Sequence, residues 1–167
     1  LVKKLSGILD NCLFNDYSFK LASSPHLAAE MENVKINAAM IKKNCRELRE
    51  KFDYVLVEGA GGLIVPLTRS YTVLDLIADL SVPAIAVARA ALGTINHTSL
   101  TINALKQREV PIMGIIMNCF KNSTIENDNR KIVSELNRVP VIGVVPYSKN
   151  LKSLADDFER HVDVQKL

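Results

Sequence analysis

A carboxylate followed closely by three glycines marks the place where this chain could do chemistry. In YVLVEGAGG, residues 54–62, mostly apolar strand-forming residues lead to Glu58, then to Gly59, Ala60, Gly61 and Gly62. The apolar run predicts a strand covered on both faces of a parallel sheet. Glu58 then emerges at its carboxyl end, where open α/β sheets bind ligands. The glycines let the backbone bend and bring its N–H groups close to an anion. Two readings stand side by side. In one, this is a nucleotide-phosphate or metal site with Glu58 as oxygen ligand for a hard cation. In the other, it is a strand and a glycine-rich turn with a solvated Glu58. A dinucleotide fingerprint fits poorly, because position 64 is Ile64 rather than a glycine and LIVPL follows in place of a helix.

The rest of the composition narrows the classes. The 167 residues amount to one domain, 1–167, and 48% apolar content is enough for a core. A net charge of +3 is too slight for a nucleic-acid footprint. The basic group at 42–51 reads as a solvated helix face. No apolar run is long enough to span a membrane. Cys12, Cys45 and Cys119 are odd in number and lack metal-ligand spacing, which predicts reduced thiols and a cytoplasmic protein. The first residue is Leu1 rather than a methionine, which is expected of a trimmed chain or of one that starts inside a longer protein.

Strands and helices must alternate to position such a site. Strands are expected at 54–58, 83–88, 111–118 and 140–146. Helices are expected at 72–80, 96–109, 124–138 and 150–162. Thr72 and Asp75 serve as cap and first-turn acid of the first of these. In 124–138, Ile125, Ile132, Val133 and Leu136 make the apolar stripe. Two earlier helices follow Ser24-Pro25 and occupy 36–52. Right-handed crossovers then give a parallel sheet with helices on both faces. Its carboxyl rim collects Glu58, Arg89, Asn118 and Pro146.

Five segments resemble ATP-dependent dethiobiotin synthetase in order and spacing. They are NDYSFKLASSPHLAAE (15–30), VEGAGG with PL three residues on (57–67), ARAALGTINHTSLT (88–101), GIIMN (114–118) and IGVVPY (142–147). The resemblance implies a P-loop NTPase-like fold and a cytoplasmic homodimer. It also implies a ligase of biotin biosynthesis that uses ATP and Mg²⁺ to build dethiobiotin from 7,8-diaminononanoate and carbon dioxide. By the same resemblance, Glu58 is the Mg²⁺ ligand, and Glu58, Gly59, Ala60 and Gly61 form part of the phosphate cradle. Asn118 reads the adenine edge, with Cys119 beside it, and Pro146, Tyr147 and Ser148 close over the base. Gly93, Thr94, Ile95 and Asn96 receive the carboxylate tail of the diamine at a helix start. Asn96 is equally an ordinary N-cap candidate, and Asn118 an ordinary strand end.

The family's phosphate loop, its lysine-bearing Lys-Pro-Val segment and a further acidic Mg²⁺ ligand have no counterpart here. The resemblance puts all three before Leu1, the catalytic lysine among them, so no residue of this chain is assigned a catalytic role. The expectation is therefore the C-terminal part of a longer synthetase, with its N-terminal strands missing from this chain and Leu1 not its native start. Taken alone, the chain is expected to bind ATP weakly and to turn over poorly. The competing expectation is a non-catalytic P-loop-like binding or regulatory module. A related P-loop amidoligase is disfavoured by the LGTINH segment.

Overall fold

The computed structural model describes residues 12–150 and 153–163. They fall into two compact units, one spanning Phe14–Val82 and the other running on from Pro83. Leu1, the position before which the resemblance puts the family's lysine, lies outside the described residues.

The first unit is mainly helical. Helix α1, Pro25–Met31, begins after Ser24 with proline in its first turn, where a missing N–H does least harm. Helix α2, Ala38–Lys51, is capped by Asn37, whose side chain accepts the Met40 N–H. A short antiparallel hairpin follows, β1 (Pro66–Thr68) and β2 (Tyr71–Thr72). It leads directly into α3, Val73–Leu80. Thr72 and Asp75 form a capping box: Thr72 Oγ1 accepts the Asp75 N–H at 3.2 Å, and the Asp75 carboxylate accepts the Thr72 N–H at 2.8 Å. Two orphan donors of the first turn are thereby satisfied. Cys45, Leu67, Val73, Leu76 and Leu80 bury against one another as the core of this unit.

Residues 54–58 do not form the predicted strand. Tyr54 and Leu56 are 92% and 89% exposed. Among the described residues no other strand pairs with this segment. An extended run becomes a strand only when neighbouring backbone takes up its N–H and C=O groups. The side-chain pattern is that of a covered strand, and the covering partner is what these residues lack.

The second unit is the expected parallel sheet. Strands β3 (Ala84–Arg89), β4 (Ile112–Phe120) and β5 (Val141–Pro146) lie side by side in chain order. Helix α4, Thr94–Gln107, joins the first pair, and α5, Thr124–Asn137, the second. Crossovers of one hand between successive neighbours put both helices on one face. That face holds the main core: Ala86, Ala88, Ile102, Ile115, Met117, Phe120, Val133 and Val139. On the other face Ile116, Ile142 and Val145 pack with Val162, which follows α6, Leu154–His161. Residues 151 and 152 of the expected last helix lie outside the described residues.

Helices α4 and α5 each bury one stripe. The buried stripe of α4 is Thr94, Thr98, Ile102 and Leu105, and Leu100 is exposed. The two threonine hydroxyls share a hydrogen bond of 3.4 Å, which lets polar side chains sit in the stripe. In α5 only Val133 of the predicted stripe is fully buried, whereas Ile125 and Leu136 face outward.

Candidate functional site

In the first unit, Glu58, Gly59, Ala60 and Gly61 lie on exposed irregular chain rather than at a strand end. The turn that follows is anchored. The Val65 N–H donates to the Gly62 carbonyl at 3.0 Å, and the Leu74 N–H to the Leu63 carbonyl at 2.8 Å. Gly59 approaches α3 closely, since a Cβ there would lie 2.8 Å from Val73 Cγ1. Gly61 has φ +87°, a conformation that L side chains rarely adopt. Among the described residues the backbone N–H groups of residues 58–62 donate to no acceptor. A turn of unpaired amides next to a carboxylate can receive a polyphosphate and its cation.

In the second unit, the ends of three strands meet. Arg89 stands opposite Asn118 in the β3–β4 ladder, and the Ala90 N–H donates to the Asn118 carbonyl at 2.8 Å. Phe120 stands opposite Pro146, and the Tyr147 N–H donates to the Phe120 carbonyl at 2.8 Å. Asn118, Cys119, Pro146 and Tyr147 therefore share one rim. Asn118 does not end its strand as expected, because β4 continues to Phe120. Ser148 opens the next loop, where its hydroxyl accepts the Asn150 N–H at 3.0 Å.

The helix start differs by two residues from expectation. Helix α4 begins at Thr94, with Gly93 as its N-cap at φ +90°. Asn96 lies within the first turn and is exposed, so it is not the cap. Glycine is favoured at position 93, because L side chains rarely adopt its φ and a Cβ there would lie 3.3 Å from the His97 ring. Thr94 is buried and Ile95 packs on the core. Beside this turn lies a cavity of about 310 Å³ lined by Arg89, Leu92, Thr94, His97, Thr98 and Thr101. A larger hollow of about 690 Å³ lies along Pro140, Val141 and Ile142, at the opening of β5. It does not coincide with the rim.

Two contributors lie outside the residues that the resemblance assigns. Lys121 places its ammonium 5.2 Å from the centre of the Tyr147 ring, a cation–π contact that steadies the loop after β5. Nothing in the local sequence pairs those two residues. Glu126 accepts the N–H groups of Lys121 and Ser123, each at 3.0 Å, and the Ser123 hydroxyl at 3.1 Å. The Ser123 backbone hydrogen bond in particular holds its carboxyl below the usual carboxylate range, against a desolvation that acts the other way. The capping-box spacing Ser123-x-x-Glu126 was the available signal. Cys119, which the resemblance already placed beside Asn118, adds a backbone conformation that no residue type announces: φ +59°, one residue before the end of β4.

Among the described residues no three His, Cys, Asp or Glu side chains cluster to hold a metal ion. No helix among them is long and apolar enough to cross a membrane.

A family model described as an AAA domain matches residues 1–154. The ATP-dependent dethiobiotin synthetase BioD of Halalkalibacterium halodurans is 44% identical over 154 residues, covering 89% of this chain and 64% of its own length. The protein of the same name from Clostridium acetobutylicum is 37% identical over 164 residues, covering 95% and 68%. That of Clostridium perfringens is 41% identical over 157 residues, covering 90% and 68%. The chain thus spans about two thirds of the length of the curated relatives it matches. With its parallel sheet, crossover helices and glycine-rich turn, this chain belongs to the ATP-dependent dethiobiotin synthetase family, on a P-loop NTPase-like α/β fold.

Proposed function

We propose that this chain serves the reaction for which its relatives are named: ATP- and Mg²⁺-dependent closure of the ureido ring of dethiobiotin from 7,8-diaminononanoate and carbon dioxide. Family membership over most of the chain carries this reading. One amine of the substrate takes up carbon dioxide as a carbamate. The carbamate oxygen attacks the γ-phosphorus of ATP and ADP departs, leaving a carbamic–phosphoric anhydride. The second amine attacks the carbonyl carbon, loses its proton and expels inorganic phosphate.

The roles divide between the units. In the first, the Glu58 carboxylate is the Mg²⁺ ligand, and the amides of Gly59, Ala60 and Gly61 face the phosphates. Mg²⁺ is commonly held by one or two carboxylates together with substrate phosphates and water, so a lone exposed carboxylate beside unpaired amides fits it. When bound, the ion neutralises charge on the transferring phosphoryl group. In the second unit, Asn118 reads the adenine edge with Cys119 beside it, and the loop of Pro146, Tyr147 and Ser148 covers the base. The turn of Gly93, Thr94, Ile95 and Asn96 receives the substrate carboxylate, because the first-turn N–H groups of α4 favour an anion. The working protein is a cytoplasmic homodimer.

The test is incorporation of labelled bicarbonate into diaminononanoate by the natural protein, with Mg²⁺ and ATP varied. Glu58→Ala is expected to lower turnover by about 10²-fold or more and to raise the Mg²⁺ requirement, with an unchanged circular-dichroism spectrum. Unchanged turnover in that variant would remove the metal role.

A further inference from the structure

The rim of the second unit contains a defect in its ladder that has a direction. Strand β4 pairs with β5 at Met117 opposite Val144 and again at Phe120 opposite Pro146. Between those pairs β4 carries two residues, Asn118 and Cys119, and β5 carries one, Val145. This two-against-one count is a β-bulge, a device that re-aims side chains beside functional sites. Cys119 takes up the extra residue in the left-handed region, at φ +59°. A side chain with a Cβ enters that region at a cost, so the surrounding structure must enforce it. Both neighbours do so. The Ala90 N–H holds the Asn118 carbonyl from the β3 side, and the Tyr147 N–H holds the Phe120 carbonyl from the β5 side, each at 2.8 Å.

The bulge resets the alternation of side chains. Ile115, Met117 and Phe120 all belong to one buried cluster, at spacings of two and then three. In a straight strand position 119 would take that face. Here Phe120 takes it, and both Asn118 and Cys119 are released to the rim, where each is only partly buried.

The released carboxamide is then locked. The Cys119 N–H donates to Asn118 Oδ1 at 2.8 Å. Only the oxygen of a carboxamide accepts from an N–H, so this bond fixes which end of the group faces inward. The Asn118 NH₂ is left without an acceptor among the described residues, with a spare lone pair of Oδ1 beside it.

We propose that Cys119 is a positioning residue that acts through its backbone: the bulge presents Asn118 as a donor next to an acceptor, and thereby sets base specificity. This rests on the reading of Asn118 as the base-reading residue. The complement of such a pair is the N7 and N6 edge of adenine, an acceptor beside a donor, whereas guanine offers two acceptors, N7 and O6. Against guanine, Oδ1 would meet O6 lone pair to lone pair.

The experiment measures kcat and KM for ATP and for GTP in the natural full-length protein, with variants at both positions. In the Cys119 series, loss of ATP preference is expected to follow intolerance of positive φ: greatest for Cys119→Val, smaller for Cys119→Ser, smallest for Cys119→Gly. For Cys119→Val the ATP-over-GTP ratio of kcat/KM should fall roughly tenfold, with the loss mainly in KM. Equal losses in all three variants would overturn the proposal, since the thiol would then be what matters. Should Cys119→Val fail to fold, a larger loss in Cys119→Ser than in Cys119→Gly still carries the proposal and equal losses in the two overturn it, while Asn118→Asp tests the donor-beside-acceptor reading. It keeps an oxygen for the Cys119 N–H and lacks the NH₂, so it should lose adenine preference by a similar factor. If Asn118→Asp keeps that preference while Asn118→Ala loses it, the proposal fails and the base-reading role of Asn118 survives. If Asn118→Ala keeps it, that role itself is wrong.

Discussion

The turn after Glu58 and the rim around Asn118 are built on opposite terms. The first is rich in motif and poor in support: three glycines, one carboxylate, unpaired amides and no strand behind them among the described residues. The second has almost no local motif, yet ladder bonds from β3 and β5, a bulge, a cation–π contact and a capping box hold it in place. A recognisable pattern of residue types and a positioned group are therefore separate properties. In the rim, position comes from many backbone bonds that any side chain could accompany. In the turn, composition supplies freedom, and position must come from whatever binds.

That contrast can be broken by substitutions, taken from the largest expected effect to the smallest. Met117→Ala in β4 removes a fully buried side chain between α4 and α5. It should cost about 2–5 kcal/mol of stability in urea unfolding, and a loss below about 1 kcal/mol would mean that the core beneath the rim is loose. Glu126→Gln should have a smaller effect that depends on pH. The folded carboxyl titrates below its unfolded value, so its contribution is present above the unfolded pKa and is lost as pH falls through the folded one. The urea midpoint of the variant should lie below that of the parent at pH 7, and the gap should close on acidification below the ordinary carboxylate range. A gap independent of pH would remove the ionised cap as its cause. Leu56→Ser should change stability by no more than about 0.5 kcal/mol, because Leu56 is exposed. A larger loss would show that Leu56 is covered in solution and would shrink the contrast between the regions.

What could be read from the sequence follows the same line. Helices α3 and α5 and strands β3, β4 and β5 announce themselves through period, proline placement and caps, which are local signals. Thr72 and Asp75 form the cap that their types implied. The segment 54–58 reads as a strand because its side chains suit one, but pairing is a property of two segments and only one is written there. The hairpin of β1 and β2 leaves no sequence signal, since Pro66, Leu67 and Thr68 are too few to show alternation. The start of α4 is hidden from the sequence because Asn96 is a good cap by type, whereas Gly93 caps by adopting a left-handed φ. Lys121 over Tyr147 and the bulge at Cys119 are contacts across strands, set by register, and register leaves no mark on composition.

After α6 the chain turns back along β5, with Val162 bridged to Gly143 and the Asp163 N–H donating to the Ile142 carbonyl at 3.0 Å. Among the described residues β5 is an edge strand of its sheet, the kind of border on which a second molecule would add its own backbone and begin a polymer. The backbone after α6 thus acts as a guard rail at Ile142 and Gly143, and hinders edge-to-edge growth there with a single bridge instead of an additional strand.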